Sequence, residues 1–166
     1  ADAGHPASES ISAAFTIKGG LGTPTFTPAP PFTVNQGVTI SWTKTGSIST
    51  VNLYYSTNDF VSFTAIASGV TGTSYAWTAP NAISTNVKVK VVDVDAGHPP
   101  TDAVSLAFTI KGGLSVTAPT AGEVLTVNGS KTITWAKTGT ITTVNLFYST
   151  NDFVSQTAVA SGVTGT

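Results

Sequence analysis

The chain has 166 residues; 40% are apolar and only 9% carry charge, where globular proteins use about 25%. Seven Lys and eight carboxylates leave a net charge of −1, which offers no electrostatic footprint for nucleic acid or anionic lipid. Cys, Met and Arg are absent, excluding disulfides, thiol catalysis, sulfur-ligated metals and bidentate arginine clamps.

The first predicted element is the strand Ile11 to Ile17, with Ile11, Ala13, Phe15 and Ile17 on one face. It returns at Val104 to Ile110, and its flanks return with it. Asp-Ala-Gly-His-Pro stands at Asp2 and again at Asp95, and Phe-Thr-Ile-Lys-Gly-Gly-Leu at Phe15 and again at Phe108. Both offsets are 93 (95 less 2, 108 less 15), and residues 1–73 laid over 94–166 give 46 identities without a gap. The sequence is therefore read as a tandem array. Its frame divides the chain into 1–19, the final strand of a preceding or neighbouring repeat, 20–113, a complete unit, and 114–166, the first part of the next.

Within 20–113, a strand is expected near Thr23 to Thr27. Alternating runs follow at Val38, Ile40, Trp42; at Val51, Leu53, Tyr55; at Tyr75, Trp77; at Val87, Val89, Val91; and at Val104, Leu106, Phe108, Ile110. A short strand is added at Thr64 to Ala67, and turns are placed at Lys44 to Ser47, Ser56 to Asp59, Ser68 to Gly72, Pro80 to Ser84 and Ala96 to Asp102. The residues between the core positions are mostly hydroxyl-bearing or Lys, as 30 Thr and 17 Ser in the chain would suggest. Lys88 and Lys90 are expected to face water on the penultimate strand, where Lys discourages edge pairing. The fold class is all-β: an Ig-like antiparallel sandwich of about seven strands with a 93-residue period.

The second copy carries Pro119, Gly122, Glu123, Val127, then Ile133, Thr134, Trp135, then Gly139, Ile141, Val144, Tyr148 and Ser149. This run resembles the Ser-Thr-rich cell-wall domain family of glycosylphosphatidylinositol-anchored fungal proteins, with relatives among secreted bacterial and archaeal surface proteins. Tyr75-Ala-Trp77, Val87 to Val91 and Phe108 to Ile110 are similar to the family's closing strands. The resemblance implies a non-catalytic extracellular module. The first copy departs from it, with Ala29-Pro30 where the second has Gly122-Glu123.

Candidate chemistry is sparse. Asp93, Asp95 and Asp102 place three carboxylates in ten residues, a candidate calcium loop, although Gly97 and His98 occupy places where an EF-type loop needs a ligand and a glycine. The first copy keeps Asp2 and Glu9. His5 and His98 are read as loop histidines, and no nucleophile-elbow or zinc-protease spacing occurs, so no enzyme is expected. Tyr54 and Phe147 fall out of phase with their strand's core face, Phe60, Phe63 and Phe153 follow within a short polar loop, and all five are candidate surface contacts, for a neighbouring subunit before a sugar. Asn128-Gly129-Ser130 is a glycosylation sequon.

The expected protein is thus an extracellular, cell-surface structural element whose principal partner is itself, forming a fibre, stalk or filament by end-to-end contacts or strand complementation. A carbohydrate-binding, cell-wall-associated adhesin that recognises surface glycans is the alternative. No membrane-spanning run is present in the sequence. The unpaired strand at residues 11–17 and the incomplete unit at 114–166 follow either from a window on a longer array, the preferred reading, or from a protomer that exchanges a strand with its neighbour.

Overall fold

The computed structural model describes residues 9–165. It is all-β, without a helix among the described residues. Fifteen strands occur in chain order: β1 Gly20–Leu21, β2 Thr25–Thr27, β3 Phe32–Thr33, β4 Gly37–Ser41, β5 Lys44–Thr45, β6 Thr50–Ser56, β7 Thr64–Thr71, β8 Ser74–Thr78, β9 Ser84–Asp93, β10 Asp102–Val104, β11 Phe108–Lys111, β12 Gly113–Ala118, β13 Thr134–Thr138, β14 Val144–Tyr148 and β15 Thr157–Val163.

Residues 20–111 close around one core. The smaller sheet runs β2-β4-β8, and the larger runs β3-β11-β9-β6-β7 with β10 also paired to β9. Alternation along each strand directs one set of side chains inward. Val38, Ile40 and Trp77 come from the smaller sheet, and Val51, Leu53, Val87, Val89, Val91, Phe108 and Ile110 from the larger. Phe32 has its ring centroid 5.6 Å from that of Phe26 and 5.2 Å from that of Phe108, both edge-on, and Phe26 lies 4.7 Å from Phe108. Each large side chain removed from water in this way contributes roughly 1.5–3 kcal/mol before chain entropy is set against it.

The second part of the chain repeats much of this local geometry without the closure. Gly113 stands opposite Thr138 and Leu114 opposite Lys137, as Gly20 stands opposite Thr45 and Leu21 opposite Lys44. Val144, Leu146, Phe147 and Tyr148 face Val163, Ala160, Ala158 and Thr157, the register in which Val51, Leu53, Tyr54 and Tyr55 face Val70, Ala67, Ala65 and Thr64. Yet β12 and β13 form one two-stranded sheet and β14 and β15 another. Two-stranded ribbons are marginal in water unless something covers them.

Several local expectations need correction. Residues 104–110 are not one alternating strand: β10 ends at Val104 and β11 begins at Phe108. Between them the phase inverts, leaving Leu106 83% exposed while Ser105 is buried. The Ser105 hydroxyl accepts the Val89 N–H at 3.0 Å and donates to the Leu106 carbonyl at 2.9 Å, so a side chain does the ladder's work there. The turn expected at Ser68 to Gly72 is mostly strand, because β7 runs to Thr71. Gly69 takes a φ of +65° and sends its N–H to Asn52 Oδ1 at 2.9 Å, absorbing a bulge without ending the pairing. β9 lies inside the sheet, with β6 on one side of it and β10 and β11 on the other, so its lysines guard no open edge. Its lysines are occupied instead: Lys88 pairs with Asp59, and the Lys90 ammonium sits 4.3 Å above the Phe60 ring.

Candidate functional site

An apolar groove of about 680 Å³ opens between the β12-β13 and β14-β15 ribbons, walled by Val116, Leu125, Ile133, Leu146, Tyr148 and Phe153 among others. Its origin is visible in the sequence frame. Leu125 corresponds to Phe32, Ile133 to Ile40 and Leu146 to Leu53 (each 93 positions on), all three fully buried in the first unit. There the covering residues come from β8, β9 and β11. Among the described residues after Thr138, no strand takes those places, and Leu125 is 54% exposed.

A strand of the missing type lies elsewhere in the same chain. Residues 14–21 and 107–114 are identical, Ala-Phe-Thr-Ile-Lys-Gly-Gly-Leu in both. In the second occurrence Phe108 and Ile110 are sealed between β3 and β9. In the first, residues 9–19 belong to no strand, and Phe15 and Ile17 are 76% and 79% exposed. Ile11 and Ala13 are exposed too, but their counterparts Val104 and Leu106 do not enter the core. Only Phe15 and Ile17 therefore belong to the inward face expected of Ile11, Ala13, Phe15 and Ile17.

The flagged aromatics divide between the copies. Tyr54 and Phe63 meet edge-on at 5.1 Å, and with Phe60, Lys90 and Val92 they enclose a hollow of about 170 Å³. Phe147 and Phe153, by contrast, line the large groove. Both Phe60 and Phe153 sit on one turn design: Ser56 Oγ accepts the Asn58 and Phe60 N–H groups at 3.1 and 3.0 Å, and Ser149 Oγ those of Asn151 and Phe153 at the same distances. These bonds hold Asp59, Phe60, Asp152 and Phe153 at positive φ, a conformation that such residues adopt only when the surroundings require it.

The acidic loop gathers Asp93, Asp95 and His98, with their ligating atoms within 4.8 Å of one another. Asp102 is elsewhere, at the start of β10 opposite Val92. Asp93 continues the inward phase of Val87, Val89 and Val91, so its carboxylate is buried. Its Oδ1 accepts the Asp95 N–H at 3.1 Å, and its Oδ2 lies 3.3 Å from His98 Nδ1. Asp95 is engaged on both oxygens: Ser49 N–H and Oγ–H donate to Oδ2, the latter at 2.7 Å, and Thr50 N–H, at 3.0 Å, and Oγ1–H donate to Oδ1. The Thr50 hydroxyl, then Ser49, hold the Asp95 carboxyl far below the usual carboxylate range. Calcium takes about six to eight oxygen ligands. Asp93 Oδ2 and His98 Nε2 are buried without hydrogen-bond partners, whereas Asp95 already accepts four donors, so the group offers one free carboxylate oxygen against that number. The cluster reads instead as a clasp fixing the loop to the start of β6. Sequence reasoning missed His98 here, although the phase of Asp93 was available from the β9 alternation. Asp2 and His5 lie outside the described residues, and Glu9 is exposed.

Two further contacts had no signal in the sequence. Asn81 and Thr140 join the two parts of the chain, Asn81 Nδ2 donating to Thr140 Oγ1 at 2.6 Å and Thr140 N–H to Asn81 Oδ1 at 2.9 Å. Glu123 pairs with Lys131 and accepts the Thr120 N–H at 3.1 Å, with Gly122 at φ +79° supplying the turn. Lys131, followed by Thr120, lowers the Glu123 pKa. Asn128, of the sequon, is exposed at positive φ. No family model, curated protein or solved structure matches the chain.

Proposed function

We propose that this is a non-catalytic structural protein, built of tandem Ig-like sandwich units that join end to end in an extracellular fibre, stalk or filament. The observation that carries this reading is the 680 Å³ apolar groove over residues 114–165, on a chain whose other unit buries the counterparts of Leu125, Ile133 and Leu146 completely. Unpaired strand edges beside an open apolar face favour β-strand association. A donor at one end and an acceptor at the other give a heterologous contact that propagates in a line. The low charge removes the repulsion that would oppose such packing. The reading is tested by negative-stain electron microscopy of the chain at increasing concentration: linear particles support it, and isolated single particles throughout refute it.

The second reading is a glycan-binding adhesin, favoured by the hollow that Tyr54, Phe60 and Phe63 surround. Glycan-array binding that Tyr54→Ala abolishes would establish it. Retained assembly with a blank array removes it.

A further inference from the structure

We infer that the open face beside Leu125 is an acceptor for residues Phe15–Lys18 of a second copy of this chain, entering parallel to Leu125–Thr126 with Ile17 opposite Leu125. The inference rests on the fibre reading above and names its partner and register.

The template is in the same molecule. In the complete unit, β11 lies parallel to β3, Ile110 opposite Phe32 and Lys111 opposite Thr33, and the Lys111 carbonyl accepts the Val34 N–H at 2.9 Å. Moved by the 93-residue frame, Ile110 becomes Ile17 on the donor side, while Phe32, Thr33 and Val34 become Leu125, Thr126 and Val127 on the acceptor side. Leu125–Thr126 is not a strand here, whereas Phe32–Thr33 is. That difference follows if β3 owes its pairing to β11, its sole neighbour in the sheet order. A donated Lys18 carbonyl would take the Val127 N–H, and Phe15 would lie over Pro119 and Leu125 as Phe108 lies over Phe26 and Phe32.

Among the described residues, Phe15–Lys18 is exposed and unpaired, and it is identical in sequence to β11, the strand that lies beside Phe32 in the first unit. The donor cannot fill its own acceptor by simple continuation. Gly19 and Gly20 run from it directly into β1 against Thr45 and Ile48 of the first unit, as Gly112 runs from β11 against Thr138 and Ile141 of the second. The donor segment is thus placed relative to the first unit as β11 is placed relative to the second, on the side where a preceding unit would stand.

The test uses the 166-residue chain and two surface variants, a donor variant (Phe15→Asp with Ile17→Asp) and an acceptor variant (Leu125→Asp). All three positions are more than half exposed, and a melting curve for the first unit checks that each variant folds. Sedimentation velocity should show concentration-dependent oligomers for the parent, monomer for each variant alone, and dimers but nothing longer for their mixture, because one intact donor meets one intact acceptor. A synthetic peptide of residues 9–19 should shorten the parent's oligomers, and a peptide of residues 84–93, the β9 sequence, should not. If either variant still assembles like the parent, or only the β9 peptide caps, the strand assignment is overturned while the fibre reading stands. A parent monomeric at every concentration overturns both.

Discussion

Leu53 and Leu146 hold the same position in the 93-residue frame and pair with Ala67 and Ala160 in the same register, but Leu53 is sealed and Leu146 lines an open groove. The difference lies in what covers them. Leu53→Ala should cost about 2–5 kcal/mol of unfolding free energy, the range for truncating a buried Leu. Leu146→Ala should cost under half as much in the monomer and should weaken association. Chemical denaturation of both variants at low protein concentration checks the contrast, and equal losses would contradict it.

The Asp95 clasp predicts an acid-sensitive loop. Its carboxyl has a folded pKa below the unfolded value, so its contribution is complete above about pH 4 and is lost as pH falls from there toward the folded pKa. Asp95→Asn should lower the melting temperature at neutral pH and narrow its gap to the parent as pH drops from about 4.5 to 2. Thermal melts across that range, with a gap that stays constant, would exclude the carboxylate as the cause.

Calcium should not stabilise the protein. In the Asp93, Asp95 and His98 group, Asp95 is committed to Ser49 and Thr50 and Asp93 Oδ1 to the Asp95 N–H, which leaves Asp93 Oδ2, 3.3 Å from the imidazole, as the one carboxylate oxygen without a hydrogen bond. Millimolar calcium is expected to leave the melting temperature unchanged, as is a chelator. A calcium-dependent rise that Asp93→Asn abolishes would restore the calcium assignment.

Asn81 is the polar link between the two parts of the chain. Asn81→Ala removes both bonds to Thr140, at no more than about 1 kcal/mol each for hydrogen bonds this exposed. Stability of the first unit should barely change, while amide exchange at Thr140 and the spread of inter-unit distances in small-angle scattering should increase. Unchanged exchange would show that packing around Gly139, near Val34 and Ile83, fixes the junction.

The readable part of this fold was the part governed by alternation. Val51, Leu53, Val87, Val89 and Val91 repeat every second residue and bury as that period requires, and the same phase extended to Asp93 would have disclosed its burial. The unreadable parts depend on single side chains replacing backbone pairings, as Ser105 does beside Val89 and Asn52 does at Gly69, where residue period carries no information. β3 and β5 are two residues long and exist by virtue of distant partners. At the candidate site, the frame exposed the β11-like segment at residues 14–18 and the open face directly, since both are comparisons of one copy with the other. The loop geometry that unites His98 with Asp93, and excludes Asp102, required three dimensions.

The proposed fibre depends on self-association driven by the open face over residues 114–165. Sedimentation equilibrium of the 166-residue chain across a hundredfold concentration range tests it most directly. The expected weight-average mass climbs past the 16.8 kDa of one chain without settling at a closed dimer. A mass that stays at one chain throughout would contradict it.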